Sequence, residues 1–273
     1  MMRRLAALAL VTSLGACKLD GFLFDPTPVK AYTLSTAVIP DSLQKLVTFK
    51  SENETLSGVL ARRPGSASRR TILYSHGNDE NIGNFWDRVE WLWQAGFDVF
   101  IYDYRGYGMS TGKSESEETL FADARAALAA VLALPGVSPA SLVLYGYSLG
   151  CAPTVELASG AVRPRAVITE SAFASTERLA HSGTILDIPG GYLLKGKFDN
   201  LGKAPRVTAP WLLLHGAEDG YVDASNAAAL YGAAGGVKQL VLVPGAGHGN
   251  VEEKYGLEAY KALIRSFVEA QAP

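Results

Sequence analysis

The residues with the clearest chemical potential lie in the stretch 144–150, which reads LYGYSLG. Ser148 stands between Gly146 and Gly150 in the pattern G-x-S-x-G, after an apolar run and before a helix-like run. Small glycines permit a sharp turn from strand to helix, which holds the serine hydroxyl above a sheet. An isolated match also fits a serine in a helix cap, but the flanking elements favour a nucleophile. We therefore predict that Ser148 is a nucleophile.

A serine hydroxyl needs a general base near neutral pH, and the sequence offers four histidines. His248 lies in the glycine-rich loop 244–250, after the last apolar run, and is the predicted base. His76 and His215 each follow an apolar run and precede a glycine, which favours rings that brace their loops. His181 either contacts a substrate or lies on the surface.

The base in turn needs an acid that orients its ring. Two adjacent carboxylates, Glu218 and Asp219, follow the penultimate apolar run, and Asp219 is preferred because it fits the pattern H-G-x-x-D-x-x-V. Glu170, at the end of an earlier run, is the alternative. With Asp219 the chain order is serine, acid, histidine.

Acyl transfer also requires fixed donors for an oxyanion, and backbone amides serve this purpose. The residue after the nucleophile, Leu149, is predicted to supply one amide. The segment 75–78, which reads SHGN after another apolar run, is predicted to supply the second. Asn78 is preferred for this second donor, with Gly77 as the alternative.

The remaining sequence predicts the elements that position these residues. Residues 46–50 and 55–61 read as a hairpin, and six short apolar runs read as strands covered on both faces: 71–74, 99–102, 142–145, 166–169, 211–214 and 240–243. Helix-like stretches alternate with them at 81–94, 117–134, 149–159, 224–234 and 251–270. This alternation predicts a mostly parallel sheet with helices on both sides and a site at the carboxyl ends of the strands.

Taken together, these motifs resemble the α/β-hydrolase superfamily over about residues 47–268. The stretch 102–113 adds a similarity to its serine-aminopeptidase-like and protein-depalmitoylase-like branch. The resemblance implies an α/β-hydrolase fold with a mostly parallel sheet of about eight strands. It also implies that Asp103 and Arg105 fix a loop beside the site, and that the reaction is hydrolysis of an acyl ester, a thioester or an amide.

The amino terminus predicts an export signal. Arg3 and Arg4 precede an apolar run, 5–14, that is about half as long as a membrane-spanning helix requires. The residues before Cys17 resemble the lipobox of bacterial lipoproteins, so Cys17 is predicted to carry a lipid that anchors the protein in the bacterial cell envelope. An ordinary secretory signal and a short membrane anchor are the alternatives. The residue after Cys17 is Lys18 and not the aspartate that commonly marks retention in the inner membrane of enterobacteria, so the outer membrane is slightly favoured.

Three units follow from these observations: a signal peptide at 1–16, a lipidated cysteine with a tether at 17–45, and a hydrolase domain at 46–273. Residues 172–208 separate two predicted strands by more than a crossover helix requires and are expected to form a short lid. The second cysteine, Cys151, is predicted to be a buried packing residue.

Composition and motif spacing argue against several other classes of protein. A net charge of -2 without basic clusters gives no sign of a nucleic-acid partner. Residues 112–114 read GKS, but no glycine lies where a phosphate-binding loop requires it. Zinc motifs do not occur, so no metal or cofactor is predicted.

The sequence thus predicts a serine hydrolase that acts on a small-molecule or acylated substrate, with a carboxylic ester or thioester favoured. A serine peptidase and a non-catalytic binding lipoprotein with a hydrolase fold are the alternatives. Acyl length and oligomeric state do not follow from the sequence.

Overall fold

A mostly parallel sheet forms the centre of the residues that the computed structural model describes, which are 24–65, 70–182 and 196–271. Within these residues the sheet has eight strands: β2 Gln44–Ser51, β3 Glu54–Ala61, β4 Thr71–Ser75, β6 Asp98–Tyr102, β7 Leu142–Tyr147, β8 Ala166–Glu170, β9 Trp211–Gly216 and β10 Lys238–Val243. A separate pair contains β1 Asp25–Pro26 and β5 Asp79–Glu80. The strands of the large sheet lie in the order β10-β9-β8-β7-β4-β6-β3-β2.

The pairing is parallel except at one edge of the sheet. Strand β2 pairs antiparallel with β3 in the predicted hairpin, and β3 pairs antiparallel with β6. All other neighbours in the large sheet are parallel. The predicted fold class is confirmed, and all six predicted apolar runs lie in strands.

Burial explains why the central strands carry apolar residues without alternation. Every residue of β4, β6, β8 and β9 is buried. Two hydrophobic clusters cover them, one containing Leu73, Leu144 and Leu213 and the other containing Ile72 and Leu212. Because successive residues of a strand point to opposite faces, the two clusters form two cores separated by the sheet.

Helices cover both faces of the sheet. Their bounds are α1 Trp86–Gln94, α2 Glu117–Leu132, α3 Cys151–Glu156, α4 Thr176–Ser182, α5 Asn200–Lys203, α6 Ser225–Ala233, α7 Val251–Tyr255 and α8 Leu257–Ala270. Helix α2 begins with a capping box in which Ser116 accepts from the backbone of Thr119. Helix α8 buries Tyr260, Ile264 and Phe267, whose spacing of three to four residues places them on one face.

The predicted helix 251–270 is two helices. Gly256 separates α7 from α8 and has a φ of +87°. This left-handed conformation is accessible to glycine at little cost and ends a helix. The hydrophobic pattern continued across the break and therefore did not reveal it.

The predicted lid and tether are only partly described. Residues 172–182 and 196–208 contain α4 and α5, and the remainder of the lid lies outside the described residues. Residues 1–23, with the predicted signal peptide and Cys17, also lie outside them. From residue 24 onward the predicted tether contacts the domain, since Phe24 and Ile39 are buried and β1 pairs with β5. Across the described ranges, none of the helices has the length and hydropathy of a membrane span.

Candidate active site

The turn that carries Ser148 is built by close packing of two glycines. Ser148 directly follows β7, begins the helical turn Ser148–Gly150 and has a φ of +51°. A Cβ atom at Gly150 would lie 1.9 Å from the carbonyl oxygen of Ser75, and one at Gly146 would lie 2.5 Å from Thr154 Oγ1. Any larger residue would displace the turn, so the glycines hold Ser148 in its strained backbone conformation.

The imidazole of His248 joins the predicted serine and the predicted acid. Its Nε2 lies 2.8 Å from Ser148 Oγ, and its Nδ1 lies 2.8 Å from Asp219 Oδ2. These residues follow three strands, β7, β9 and β10, which end at the same edge of the sheet. With a proton on Nδ1, the ring donates to the carboxylate and leaves Nε2 free to accept from the serine hydroxyl.

Asp219 is held as an anion by several donors. Its Oδ1 accepts from the backbone amides of Tyr221 and Val222, each at 2.9 Å. His215 Nε2 lies 3.3 Å from Oδ2 and 2.7 Å from the carbonyl oxygen of Val222, so this nitrogen carries a proton. Burial raises the pKa of Asp219, but the hydrogen bonds from His215 and His248 outweigh it and hold the pKa well below the usual range.

The two other carboxylates that the sequence offered are not at the imidazole. Glu218 is exposed. Glu170 is fully buried and is 2.7 Å from Arg88 Nη1, and it accepts hydrogen bonds from the hydroxyls of Tyr145 and Tyr260. Among these three carboxylates, Asp219 is the one whose oxygen lies at His248 Nδ1.

The backbone of the His248 loop rests on groups that the sequence analysis did not identify. The carbonyl oxygen of His248 accepts from Ser171 Oγ at 3.0 Å and from the Tyr147 hydroxyl at 3.3 Å. Arg88 lies 4.1 Å from the centroid of the Tyr147 ring and donates to the carbonyl oxygen of Gly249. Burial raises the pKa of Tyr147 to about 12, so its hydroxyl remains a donor at neutral pH. Ser171 directly follows a strand, and this position in the sequence could have indicated it. The sequence around Arg88 contains no such signal.

The predicted oxyanion donors lie on adjacent elements. Leu149 follows Ser148 in the helical turn Ser148–Gly150 and is buried. Asn78 lies just beyond β4, whose last residue, Ser75, pairs in register with Gly146. The side-chain oxygen of Asn78 accepts from the amide of Asp25 at 2.8 Å. The loop that contains Asn78 therefore starts beside the turn that carries Ser148 and is bound by the amino-terminal segment.

Asp103 and Arg105 make the structural contacts that the family resemblance implied. Asp103 Oδ1 accepts from the amide of Ile82 at 3.0 Å. Arg105 forms a buried ion pair of 2.7 Å with Asp123. Asp103 thus holds the segment after β4, Arg105 ties its own loop to helix α2, and neither contacts Ser148 in the described hydrogen bonds.

The remaining candidates from the sequence have clear positions. His76 is buried with its Nε2 at 3.1 Å from Asp103 Oδ1. His181 lies in α4, and its side chain is outside the described set. Cys151 is a buried free thiol packed behind the turn, as predicted. In the described part of the chain, no three histidine, cysteine, aspartate or glutamate side chains are grouped as metal ligands.

The sheet order, the serine turn after β7 and the chain order of Ser148, Asp219 and His248 are those of the α/β-hydrolase class. A family model described as serine aminopeptidase, S33, matches residues 66–188. The chain is 34% identical over 226 residues to α/β-hydrolase domain-containing protein 17C of Xenopus tropicalis, covering 82% of this chain and 70% of that protein. These matches show that the chain belongs to the α/β-hydrolase superfamily.

A second relative and two solved structures agree with this assignment. The chain is 36% identical over 214 residues to the α/β-hydrolase domain-containing protein aho-3 of Caenorhabditis elegans, covering 77% of this chain but only 60% of that protein. An esterase of Pyrococcus furiosus superposes with a TM-score of 0.75 at 18% identity, covering 92% of this chain and 99% of the esterase. An acylaminoacyl peptidase of Pyrococcus horikoshii gives a TM-score of 0.67 at 19% identity, covering 84% of this chain and 41% of the peptidase. At these identities the two structures establish the fold alone.

Proposed function

We propose that the protein is a serine hydrolase that cleaves carboxylic esters or thioesters through an acyl-enzyme. The observation that carries the proposal is the continuous hydrogen-bond chain from Asp219 through His248 to Ser148, with both distances at 2.8 Å. The carboxylate is buried and ionised, while the imidazole side chain is 19% exposed. A substrate carbonyl can therefore approach the serine from the open side, and the acid behind the ring is kept from water.

Acylation begins when Ser148 Oγ attacks the acyl carbon and its proton passes to His248 Nε2. The carbonyl oxygen gains the electron pair, and the amides of Leu149 and Asn78 stabilise the resulting oxyanion. His248 then gives its proton to the departing alkoxide or thiolate as the bond to the acyl carbon breaks. Asp219 stabilises the imidazolium throughout by accepting from Nδ1.

Deacylation repeats these steps with water as the nucleophile. His248 takes a proton from the water, whose oxygen attacks the acyl carbon of the ester on Ser148. Collapse of the second oxyanion releases the carboxylic acid, and His248 returns the proton to Ser148 Oγ. The enzyme ends in its starting protonation state, and the bond has been hydrolysed without a co-reactant other than water.

A fluorophosphonate probe tests the mechanism directly. We expect the wild-type protein to be labelled and Ser148→Ala to be unlabelled, with Ser175→Ala as a control that keeps both the nucleophile and the His248 loop intact. A wild-type protein that resists the probe and hydrolyses no ester would support the non-catalytic binding protein instead.

A substrate series tests the bond that is cleaved. Esters and thioesters of increasing acyl length should be hydrolysed by the wild-type protein and not by Ser148→Ala. A dipeptide amide belongs in the series because the matching family model is described as a serine aminopeptidase. Faster cleavage of that amide than of any ester would replace the esterase proposal with the peptidase.

We also propose that Cys17 carries the lipid that attaches this hydrolase to the bacterial cell envelope. The proposal is supported by the charged and apolar residues before Cys17, which resemble a lipoprotein signal. Metabolic labelling with a fatty-acid analogue should be lost in Cys17→Ser and retained in Cys151→Ser. Equal labelling of Cys17→Ser and the wild type would contradict lipidation at this residue.

A further inference from the structure

Residues 24–32, which we call the amino-terminal strap, lie along the loop that follows β4. We call this loop, residues 76–82, the oxyanion loop because it contains Asn78. Asp25 and Pro26 pair in parallel with Asp79 and Glu80, and the amide of Thr27 donates to the carbonyl oxygen of Glu80 at 2.9 Å. The strap thus continues along most of the loop.

The strap binds Asn78 itself. The amide of Asp25 donates to Asn78 Oδ1 at 2.8 Å and to the hydroxyl oxygen of Tyr107 at 3.1 Å. The same hydroxyl donates to Asn78 Oδ1 at 3.2 Å. Asn78 is therefore held by two donors, one from the strap and one from Tyr107, and its side chain cannot rotate without breaking both bonds.

A second set of contacts fixes the two ends of the oxyanion loop. The hydroxyl of Tyr32, at the end of the strap, donates to Asp103. Asp103 in turn accepts from the amide of Ile82 and lies 3.1 Å from His76 Nε2. The side-chain amide of Asn81 donates to the carbonyl oxygen of Thr27 at 3.1 Å. One strap therefore connects to the beginning, middle and end of the loop.

The loop needs such support because little else covers its middle. Asp79 and Glu80 are exposed, and Glu80 has a φ of +45°, a conformation that non-glycine residues adopt only at a cost. Phe24, by contrast, is buried in the same hydrophobic cluster as Tyr104 and Tyr107. Burial of this aromatic side chain fixes the strap, and the strap can then fix the loop.

We propose that the amino-terminal strap is a positioning element of the oxyanion site, where it holds the backbone amide of Asn78 in place before substrate arrives. The inference rests on the proposed serine hydrolase function. An amide stabilises an oxyanion effectively only if it is already oriented, because reorientation during the reaction costs free energy. The segment predicted from sequence as a tether would thus take part in forming the site.

The test compares two substitutions at Asp25 and adds a third at Tyr107. Asp25→Pro removes the amide donor, and the change is tolerable because a residue before Pro26 is already restricted to extended backbone. Asp25→Ala keeps the amide and removes only an exposed carboxylate. Tyr107→Phe removes the second donor to Asn78 and also one of the two acceptors of the Asp25 amide.

We expect Asp25→Pro and Tyr107→Phe to lower kcat by about ten-fold with little change in KM, as displacement of a transition-state donor should. Their affinity for a boronic acid, which forms a tetrahedral adduct on the serine, should fall by a similar factor. Asp25→Ala should match the wild type. Each rate is divided by the concentration of active sites, which is measured by complete titration with a fluorophosphonate. Misfolded protein then does not contribute to kcat.

Equal kcat per titrated site in Asp25→Pro, Tyr107→Phe and the wild type would overturn the role of the strap while leaving the hydrolase intact. A rise in KM alone would also overturn it, since it would indicate altered ground-state binding. If the wild type itself neither hydrolyses esters nor reacts with the fluorophosphonate, the proposed function fails and this inference fails with it.

Discussion

Arg88 and Glu170 form a buried ion pair of 2.7 Å beneath the loop that carries His248. Glu170 is wholly enclosed, and Arg88 extends from this pair to the Tyr147 ring and the carbonyl oxygen of Gly249. A buried ion pair therefore supports the backbone of the loop that contains His248.

Removal of one partner should destabilise the fold. Glu170→Gln keeps the shape of the side chain but leaves Arg88 buried without its main counter-charge, so we expect the free energy of unfolding to fall by about 3 kcal/mol. Urea denaturation measures this change. Glu177→Gln, in the first turn of α4, serves as the control and should be close to the wild type. A Glu170→Gln variant as stable as the wild type would contradict a structural role for the pair.

The identity of the acid can be tested by amide substitutions. Asp219→Asn should lower kcat by about 10⁴-fold, because an amide cannot hold the imidazole in the required tautomer or stabilise its cationic form. Glu218→Gln changes the exposed neighbour and should retain nearly full activity. A much larger loss in Glu170→Gln than in Asp219→Asn, measured on folded protein, would transfer the role to Glu170.

The depressed pKa of Asp219 predicts a pH dependence of stability. Because the folded-state pKa lies below the unfolded value of about 3.9, the ionised carboxylate contributes stability that is complete above that value. The contribution is lost as the pH falls through the folded-state pKa. The difference in unfolding free energy between the wild type and Asp219→Asn should thus be constant near neutrality and shrink below about pH 4. A difference that stays constant to pH 2 would contradict this sign.

A glycine of the serine turn should tolerate substitution less than a glycine with open space around it. Gly150→Ala places a methyl group 1.9 Å from the Ser75 carbonyl oxygen, and we expect a loss of about 3 kcal/mol in stability together with loss of fluorophosphonate labelling. Gly160→Ala is the matched control, since its added Cβ would point into open space. Equal thermal stability of the two variants would argue against tight packing at the turn.

Ser171 should affect the rate without touching the substrate. Ser171→Ala removes the shorter of two hydrogen bonds to the His248 carbonyl oxygen, which should let the loop move and lower kcat by about five-fold. Ser175→Ala lies four residues further along the chain and should leave kcat unchanged. Steady-state kinetics on one ester measures both variants. An unaltered kcat in Ser171→Ala would show that the Tyr147 hydroxyl suffices.

Local sequence patterns were sufficient to predict the central strands and the three residues now proposed as the triad. Ser148, Asp219 and His248 each follow an apolar run, and the short-range rule that such runs form buried parallel strands brings their carboxyl ends to one edge. Gly256 shows where this reasoning failed, because a hydrophobic period that continues across a break does not report the backbone conformation at the break.

The sequence by itself therefore determined the fold class, the strand ends and the three residues proposed for catalysis, since these depend on local periodicity and short motifs. Only the tertiary structure decided how the site is supported. Arg88 and Glu170 are 82 positions apart, Ser171 and His248 are 77 apart, and Asp25 and Asn78 are 53 apart. Contacts between residues so far apart in the chain arise from the packing of complete helices and strands. The sequence around one of the two residues does not indicate which residue it will contact.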